Sequence, residues 1–368
     1  MPKAKTASDP VVGRIVDSSS QIHSRIVSGR KPSMKFPLRS LSNVRYAPRK
    51  GHFEMVGKTK ERTLTVSTVK TFAQTLRMIA LSKQLIETND FATKRDAYYQ
   101  TKNWDDARCD EQVESDTLMD DVEAYYGLNK EQLGFRPDEH GGLVAGGLVV
   151  LDREQGTTGP RIEVDCTKFG SGAYGIPAAV EHLGFRTRAK FILAIETGGM
   201  FERLNYHRFW QKTDCILVSM AGVPTRAVRR FIRRLSDEKK IPVYVFVDCD
   251  PYGIGNIYRT LKVGSGNNAH LNSFFCVPKA HFLGVTPQDI VDYKLPTHPL
   301  KDVDIKRAKD ALKNDPFFKH YPQWAKALQQ LLKMNVRAEQ QAFAKFDLNF
   351  VIDRYLPEKL KHPEKFLP

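Results

Sequence analysis

A run of five apolar and aromatic residues, Val243-Tyr-Val-Phe-Val247, leads directly into Asp248-Cys-Asp250-Pro-Tyr-Gly253. Such a run is typical of a strand buried on both faces of a parallel sheet. Because alternate side chains of a strand point the same way, Asp248 and Asp250 are expected to project together from its carboxyl end. Open α/β sheets place their ligand sites at that end. Two carboxylates there suit Mg²⁺, although an aspartate that merely begins a turn is the alternative.

Two further apolar runs precede this one and predict the rest of the sheet. Phe191–Ile195 ends at Glu196, and Cys215–Met220 follows after a predicted helix over Met200–Trp210. Alternating strands and helices indicate an α/β fold with a parallel sheet. Glu196 is then expected on the same rim as the two aspartates. Three carboxylates there would repel one another, and Mg²⁺ would relieve that repulsion. Glu196 could instead serve as a general acid or base.

The next predicted helix follows Pro224 and is rich in arginine. Arg229 and Arg230 are candidates for clamping a phosphate beside a metal ion. A solvated charged face is the alternative interpretation of the same pattern. The arginines of this helix are Arg226, Arg229, Arg230, Arg233 and Arg234.

The preceding part of the chain predicts a winged helix-turn-helix. Helices are expected over residues 66–85, 93–100 and 111–126, followed by a glycine-punctuated hairpin over 141–150. In that motif the second helix faces the DNA, so Lys94, Arg95 and the adjacent tyrosines would face it.

Tyr98 and Tyr99 require a separate interpretation. Adjacent helical residues point about 100° apart, so one tyrosine can pack inward while the other faces DNA. An exposed phenol beside Arg95 is a candidate nucleophile for a phosphodiester, with the guanidinium steadying the phosphate. Packing of both rings in a core is the alternative.

Charge favours a polyanionic partner. The 368 residues carry a formal net charge of +15, and residues 1–60 hold 13 Lys/Arg against 3 Asp/Glu. Nucleic acid is the most plausible partner, and residues 1–65 are interpreted as a flexible basic arm that either tracks phosphates or only aids solubility.

The cysteines and the hydropathy of the sequence indicate the cellular compartment in which the protein is expected. The five cysteines show no C-x-x-C spacing, which favours a reduced chain without a zinc module. There is no apolar run near the about 18 residues that span a bilayer, and no secretory signal. These features predict a cytoplasmic protein without a membrane partner.

Four motifs together resemble one known family. They are Ala92-Thr-Lys-Arg-Asp-Ala-Tyr-Tyr99, Glu196-Thr-Gly-Gly-Met-Phe201, Gly222-Val-Pro-Thr-Arg-Ala-Val-Arg-Arg230 and Asp248-Cys-Asp-Pro-Tyr-Gly253. This set is similar to the A subunits of archaeal DNA topoisomerase VI and is shared with the meiotic double-strand-break transesterase. Two later stretches, Lys333-Met-Asn-Val-Arg-Ala-Glu-Gln-Gln341 and Tyr355-Leu-Pro-Glu-Lys-Leu360, also resemble the archaeal protein. The resemblance extends from about residue 65 to the C-terminus.

An α/β and α+β multidomain chain is expected. The residues themselves predict a basic arm over 1–65, which has no counterpart in the family, and a linker over 151–187. The resemblance implies a winged-helix domain carrying the tyrosine over 66–150. A TOPRIM domain of parallel-sheet α/β type with a C-terminal helical region would occupy 188–368.

The resemblance also implies site residues and partners. Tyr99 would be the nucleophile that joins a DNA 5′-phosphate, with Arg95 assisting, and Glu196, Asp248 and Asp250 would hold Mg²⁺. The expected partners are double-stranded DNA, a second copy of the chain and an ATPase B subunit, in an A₂B₂ assembly associated with the nucleoid. The absence of a P-loop in this sequence agrees with an ATPase on a separate polypeptide.

Three other functions stay open on the sequence alone. One is a break-forming transesterase that does not reseal the break, and another is a metal-dependent TOPRIM nuclease whose tyrosines are core. The third is a winged-helix DNA binder without catalysis.

Overall fold

The computed structural model describes residues 9–136, 141–155, 158–266 and 268–368. They form two compact units. The first contains residues 9–45, 55–136, 266 and 268–271, and the second contains residues 46–54, 141–155, 158–265 and 272–368.

The helices of the first unit precede those of the second along the chain. The first unit contains α1 Pro10–Val27, α2 Val69–Thr88, α3 Lys94–Thr101 and α4 Gln112–Tyr126. The second contains α5 Gly198–Tyr206, α6 Phe209–Thr213, α7 Arg226–Lys239, α8 Arg259–Val263, α9 Asn272–Phe275, α10 Pro287–Asp292, α11 Asp302–Asn314, α12 Pro316–His320, α13 Pro322–Met334 and α14 Leu356–Leu360.

The strands are short near the N-terminus and longer in the second unit. The strands before residue 140 are β1 Ser33–Pro37, β2 Val44–Ala47, β3 His52–Met55, β4 Thr59–Thr63, β5 Ala92–Thr93 and β6 Phe135–Arg136. The later strands are β7 Leu143–Gly146, β8 Leu148–Gln155, β9 Thr158–Asp165, β10 Tyr174–Gly175, β11 Gly184–Thr187, β12 Phe191–Ile195, β13 Cys215–Ser219, β14 Val243–Phe246, β15 Ala280–Gly284, β16 His298–Pro299 and β17 Val336–Arg337.

A six-stranded sheet is the centre of the second unit, in the order β10-β7-β13-β12-β14-β15. Strands β12, β13, β14 and β15 run parallel, which confirms the predicted parallel sheet. Ile195 pairs with Ser219 on one side and with Phe246 on the other, so these strands end level. Every residue of β12 and β13 is buried, as their apolar runs indicate, and Ser219 at the end of β13 is the one polar residue among them. The level strand ends bring Glu196 and the aspartates to one rim.

The predicted hairpin over 141–150 is wrong. β7 pairs antiparallel with β13 in the six-stranded sheet, whereas β8 pairs with β9 and β11 in a separate three-stranded sheet. Gly146 has a φ of +108°, and a Cβ there would lie 2.7 Å from the carbonyl oxygen of Cys215. The glycines therefore mark a crossing between two sheets, and this close approach excludes a side chain.

The predicted linker over 151–187 is also wrong, because the three-stranded antiparallel sheet β11-β8-β9 occupies most of it. Val150, Phe185 and Leu148 of this sheet are buried. Polar residues interrupt the alternation of apolar residues in these strands. The sequence of the sheet therefore resembles that of a polar linker.

The predicted flexible arm is wrong for residues 9–65, and residues 1–8 of that prediction lie outside the described residues. Helix α1 and strands β1 and β4 are folded, and Ile15, Ile22, Met34 and Phe36 belong to the core of the first unit. Arg39 forms ion pairs with Asp120 and Asp121 of α4 at 3.0 and 2.8 Å. Arg62 forms one with Asp121 at 2.7 Å. Part of the positive charge is therefore structural.

Three predicted helices are confirmed as α2, α3 and α4, and Gly127 ends α4 with a φ of +61°. The single helix expected over Met200–Trp210 is instead two, α5 and α6, because Arg208 takes a left-handed conformation with φ +49°. All five cysteines are free and buried. In the described part of the chain, every helix is too short or too polar to cross a bilayer.

Candidate active site

Helix α3 carries the candidate nucleophile and has only eight residues, so tertiary anchors must hold it. The Thr93 hydroxyl accepts from the backbone N–H of Asp96, and the Asp96 carboxylate accepts from the backbone N–H of Thr93, which forms a capping box. β5, directly before the helix, pairs with β6. Ala97 is fully buried in the core. The start of α3 is therefore fixed in position.

The two tyrosines of α3 have different environments. The Tyr98 hydroxyl donates to the carbonyl oxygen of Asp110 at 3.0 Å, and the Lys102 ammonium lies 4.4 Å from the centre of its ring. Tyr99 is 57% exposed. Within the described residues its hydroxyl has no hydrogen-bond partner. The phenol that is available for chemistry is therefore that of Tyr99.

Arg95 lies four residues before Tyr99, which places both on one face of α3. Arg95 is exposed, and its guanidinium forms no ion pair with any residue that the structure describes. Lys94 is held differently, with its ammonium 3.7 Å from the Asp116 carboxylate. The face with Tyr99 and Arg95 thus presents a phenol and a free cation one helical turn apart.

The acidic residues meet in the second unit at the carboxyl ends of β12 and β14. Glu196 directly follows β12, and its Oε2 accepts from the backbone N–H of Asp248 at 2.8 Å. The Glu196 backbone N–H donates to the carbonyl of Phe246 at 3.0 Å. Asp250 Oδ1 accepts from the backbone N–H of Gly253 at 2.6 Å. A Cβ at Gly253 would lie 2.8 Å from the carbonyl oxygen of Asp248, so the loop requires glycine.

Burial raises the pKa of all three carboxyl groups, and neighbouring carboxylates of the rim raise the pKa of Glu196 and Asp248 further. Burial, and then the Asp248 and Asp250 carboxylates, raise the pKa of Glu196 to about 8. Burial also raises the pKa of Asp248 to about 6, against a hydrogen bond from the Gln340 backbone. The pKa of Asp250 is raised mainly by burial. Bringing these groups together in their charged form is costly without a cation.

The carboxylates of Glu196, Asp248 and Asp250 fit a divalent cation that keeps some coordination positions open for water or phosphate. Among the described residues, no three His, Cys, Asp or Glu side chains stand close enough to enclose a metal ion. Mg²⁺ is usually held by one or two carboxylates, with waters and phosphate oxygens completing its shell. Buried, hard carboxylate oxygens at a strand-end rim therefore fit Mg²⁺ that is shared with a phosphate.

A segment near the C-terminus completes the rim, and sequence reasoning missed its role. Ala338 and Cys249 exchange backbone hydrogen bonds of 3.2 and 2.8 Å. The side chains of the paired residues Cys249 and Ala338 point to one side, and those of the residues before and after each of them point to the other. Arg337 and Glu339 therefore lie on the same side as the two aspartates. Arg337 lowers the pKa of Asp248 and Asp250. The only signal was the family-like stretch Lys333–Gln341, which has no metal-ligand spacing.

Gln340 lies in the same segment and is completely buried. Its backbone N–H donates to Asp248 Oδ1 at 2.8 Å, and its Nε2 donates to the Phe246 carbonyl at 2.6 Å. Its Oε1 accepts from the Thr197 hydroxyl at 2.9 Å.

The arginines of α7 are largely tied to protein groups. Arg230 makes a two-pronged contact with Glu181 at 2.7 and 2.8 Å, and it also donates to the Phe274 carbonyl. Because Glu181 already occupies its fork, this arrangement disfavours a phosphate clamp at Arg230, whose DNA contact stays a prediction. The Arg229 guanidinium lies 5.7 Å from the ring centre of Phe275, and its DNA contact stays a prediction.

Three family models match the chain in succession. The model described as "Type IIB DNA topoisomerase" matches residues 70–135. "All-beta domain in DNA topoisomerase VI alpha subunit" matches residues 138–189, which include the three-stranded sheet. The model for the Toprim domain of topoisomerase 6 A subunits and Spo11 matches residues 191–360, which include the acidic rim.

Relatives over nearly the whole length carry one common name, that of the A subunit of type 2 DNA topoisomerase 6. The chain is 53% identical to the protein of that name from Methanocaldococcus jannaschii, over 96% of this chain and 95% of the relative. It is 36% identical to the one from Methanothermobacter thermautotrophicus, over 92% and 94% of the two chains. The corresponding protein of Archaeoglobus fulgidus is 37% identical, over 92% and 93%.

Proposed function

Since the chain belongs to the family of DNA topoisomerase VI A subunits, we propose that it is the DNA-cleaving subunit of a type II topoisomerase. It makes and reseals double-strand breaks by tyrosine transesterification. The observation that carries this proposal is the exposed Tyr99 phenol one helical turn from Arg95, which has no ion pair among the described residues, while the Tyr98 hydroxyl donates to Asp110. The helices α2–α4 are proposed to act as a DNA-binding domain of the winged-helix class.

The proposed chemistry is a balanced exchange of esters. The Tyr99 oxygen loses its proton and attacks the phosphorus of a DNA phosphodiester. The bond to the 3′-oxygen breaks, and that oxygen leaves as a hydroxyl after it accepts a proton. Tyr99 is then joined to the 5′-phosphate. Arg95 steadies the charge that develops on the phosphate. Because the new ester retains the energy of the old one, the reverse attack reseals the strand without ATP.

The acidic rim of Glu196, Asp248 and Asp250 is proposed to hold Mg²⁺, with one or two of these carboxylates on the ion at a time. When bound, the ion supplies Lewis-acid stabilisation of the phosphate and its departing oxygen. Arg337 on the same side adds a positive charge toward the phosphate, and burial of the carboxylates strengthens the interactions among these charges. Glu196, with a pKa near 8, retains the alternative role of carrying a proton.

The proposed partners follow from the relatives' shared name, since a protein named as one subunit belongs to a larger enzyme. The chain would act as a homodimer that cuts both strands of double-stranded DNA, with an ATPase B subunit in an A₂B₂ assembly. The proposed place of action is the cytoplasm, on the nucleoid.

Replacing Tyr99 by Phe is expected to abolish covalent attachment to DNA while DNA affinity stays within about twofold, because only the attacking oxygen is lost. The measurement is a denaturing gel of the protein with its B subunit, ATP, Mg²⁺ and labelled supercoiled DNA. Tyr98→Phe is the matched control and should keep attachment.

Each competing function gives a different gel. Attachment that survives Tyr99→Phe but not Tyr98→Phe would reverse the assignment. Cleaved DNA free of protein would indicate a nuclease. Attached breaks that never reseal would indicate a transesterase without religation. Unchanged function in the double variant Asp248→Asn with Asp250→Asn would leave only a DNA binder.

A further inference from the structure

We propose that Gln340 is a positioning residue for the metal rim, holding in place the two loops that carry Glu196 and Asp248. This inference rests on the proposed metal-dependent function. Nothing about the residue type suggests such a role, since a neutral amide 92 positions from Asp248 neither ligates Mg²⁺ well nor follows a strand.

The contacts of Gln340 join three points of the rim. Through Nε2 it binds the last residue of β14, Phe246, and through Oε1 it binds Thr197, the residue after Glu196. Those two bonds hold its backbone N–H against Asp248 Oδ1 at 2.8 Å. One buried side chain therefore fixes the exit of β14 relative to the exit of β12.

The electrostatics explain why an amide suits this position. The three carboxylates repel one another, and this repulsion opposes holding the two loops together when the ion is absent. A charged side chain would either add to that repulsion or compete with the ion for the carboxylates. An amide donates and accepts at the same time without adding charge. Because Gln340 is fully buried, water does not replace a lost bond, and the Phe246 carbonyl would keep only the Glu196 backbone N–H as its donor.

The adjacent backbone supports the same restraint. The two hydrogen bonds between Cys249 and Ala338 lie between the positions of Asp248 and Asp250. Together with Gln340 they hold the acidic loop along the segment 338–340. Partners that orient metal ligands in this way typically contribute 10- to 100-fold to metal affinity.

The test is Mn²⁺ binding by the full-length chain, followed by the EPR signal of free Mn²⁺ at pH 8. Gln340→Met keeps the size of the side chain and removes both amide bonds, and it should raise the Kd for Mn²⁺ about 10- to 100-fold. Gln341→Ala is the matched control because Gln341 is the exposed neighbour, and its Kd should stay at the wild-type value. With the B subunit, DNA cleavage by Gln340→Met should recover at high Mg²⁺, so that the KM for Mg²⁺ rises more than kcat falls.

A second variant keeps the proposal falsifiable if Gln340→Met does not fold. Thr197→Val removes only the hydroxyl that donates to Oε1, and we expect a smaller rise in Kd of about 3- to 10-fold. Wild-type Mn²⁺ affinity in both variants would overturn the inference, provided that Asp248→Asn with Asp250→Asn abolishes binding. If that double variant binds Mn²⁺ normally, the metal site itself is refuted, and this inference with it.

Discussion

The carboxyl groups of the rim are held partly out of water, and their charges repel one another. Asp248 illustrates the balance, because burial raises its pKa to about 6 while the Gln340 N–H and Arg337 favour its charged form. A raised pKa means that the folded state binds the proton more tightly than the unfolded state does. Ionised Asp248 therefore destabilises the metal-free fold above about pH 6, and this penalty disappears as the pH falls toward 4.

Asp248→Asn should therefore stabilise the metal-free protein at pH 8, by about 1–3 kcal/mol in the free energy of unfolding. The neutral amide oxygen can still accept from Gln340. At pH 5 the gain should fall to about half, because the penalty builds up between the ordinary aspartate pKa near 4 and the folded-state value of about 6. Thermal unfolding in EDTA at the two pH values measures both. A variant that melts below the wild type at pH 8 would show that the ionised carboxylate is stabilising.

At the scale of elements, the segment before α2 is integrated in the first unit by charge as well as by apolar packing. Arg39 is about one-fifth exposed and reaches two aspartates of α4 that lie more than 80 positions along the chain. Asp121 also binds Arg62, so the segment and α4 share one ionic network. Removing one charge from such a network destabilises the fold, because the remaining charges are partly desolvated and lose a partner.

Arg39→Gln is expected to lower the free energy of unfolding by about 1–3 kcal/mol, because two partly buried carboxylates lose a counter-ion. Lys35→Gln is the matched control, since Lys35 is an exposed lysine of β1. Urea unfolding of both variants provides the comparison. Equal stability of the two variants would mean that Arg39 contributes no more than a surface charge.

At the scale of the whole molecule, a net charge of +15 does not say which cations face DNA. The structure separates Arg95, exposed beside Tyr99, from Arg230, whose fork is occupied by Glu181. Arg95→Met should reduce the slope of log affinity against log salt by about 0.9, the loss of one phosphate contact. Arg230→Met should leave the slope unchanged and lower the melting temperature. Anisotropy with a labelled duplex measures the slopes, and a reduced slope for Arg230→Met would restore its predicted phosphate contact.

The sequence was sufficient for the features that depend on neighbouring residues. Strands β12–β14 are apolar runs broken only by Ser219, and the rule for carboxyl ends of parallel strands placed Glu196 beside the aspartates. The short helix with Tyr99 was visible from its capping residues. These are local patterns, which a single chain displays without knowledge of the rest of the fold.

The errors concern residues whose partners are far away in the chain. Arg39 and Arg62 looked like part of a loose arm because Asp120 and Asp121 occur much later in the sequence. The glycines at 146–147 resemble a hairpin turn, and only the close approach of the Cys215 carbonyl shows a crossing between sheets. Gln340 escaped notice for the same reason, since its three bonds join it to residues 92 to 143 positions earlier.

The late position of segment 338–340 has a consequence for biosynthesis. During translation, the acidic residues emerge from the ribosome long before Ala338 and Gln340. At that stage the backbone groups of Cys249 and the Asp248 carboxylate lack these two hydrogen-bond partners. On the proposed role of this segment, the acidic rim is completed only near the end of translation. A product truncated before residue 338 would keep Glu196, Asp248 and Asp250 but lack both restraints.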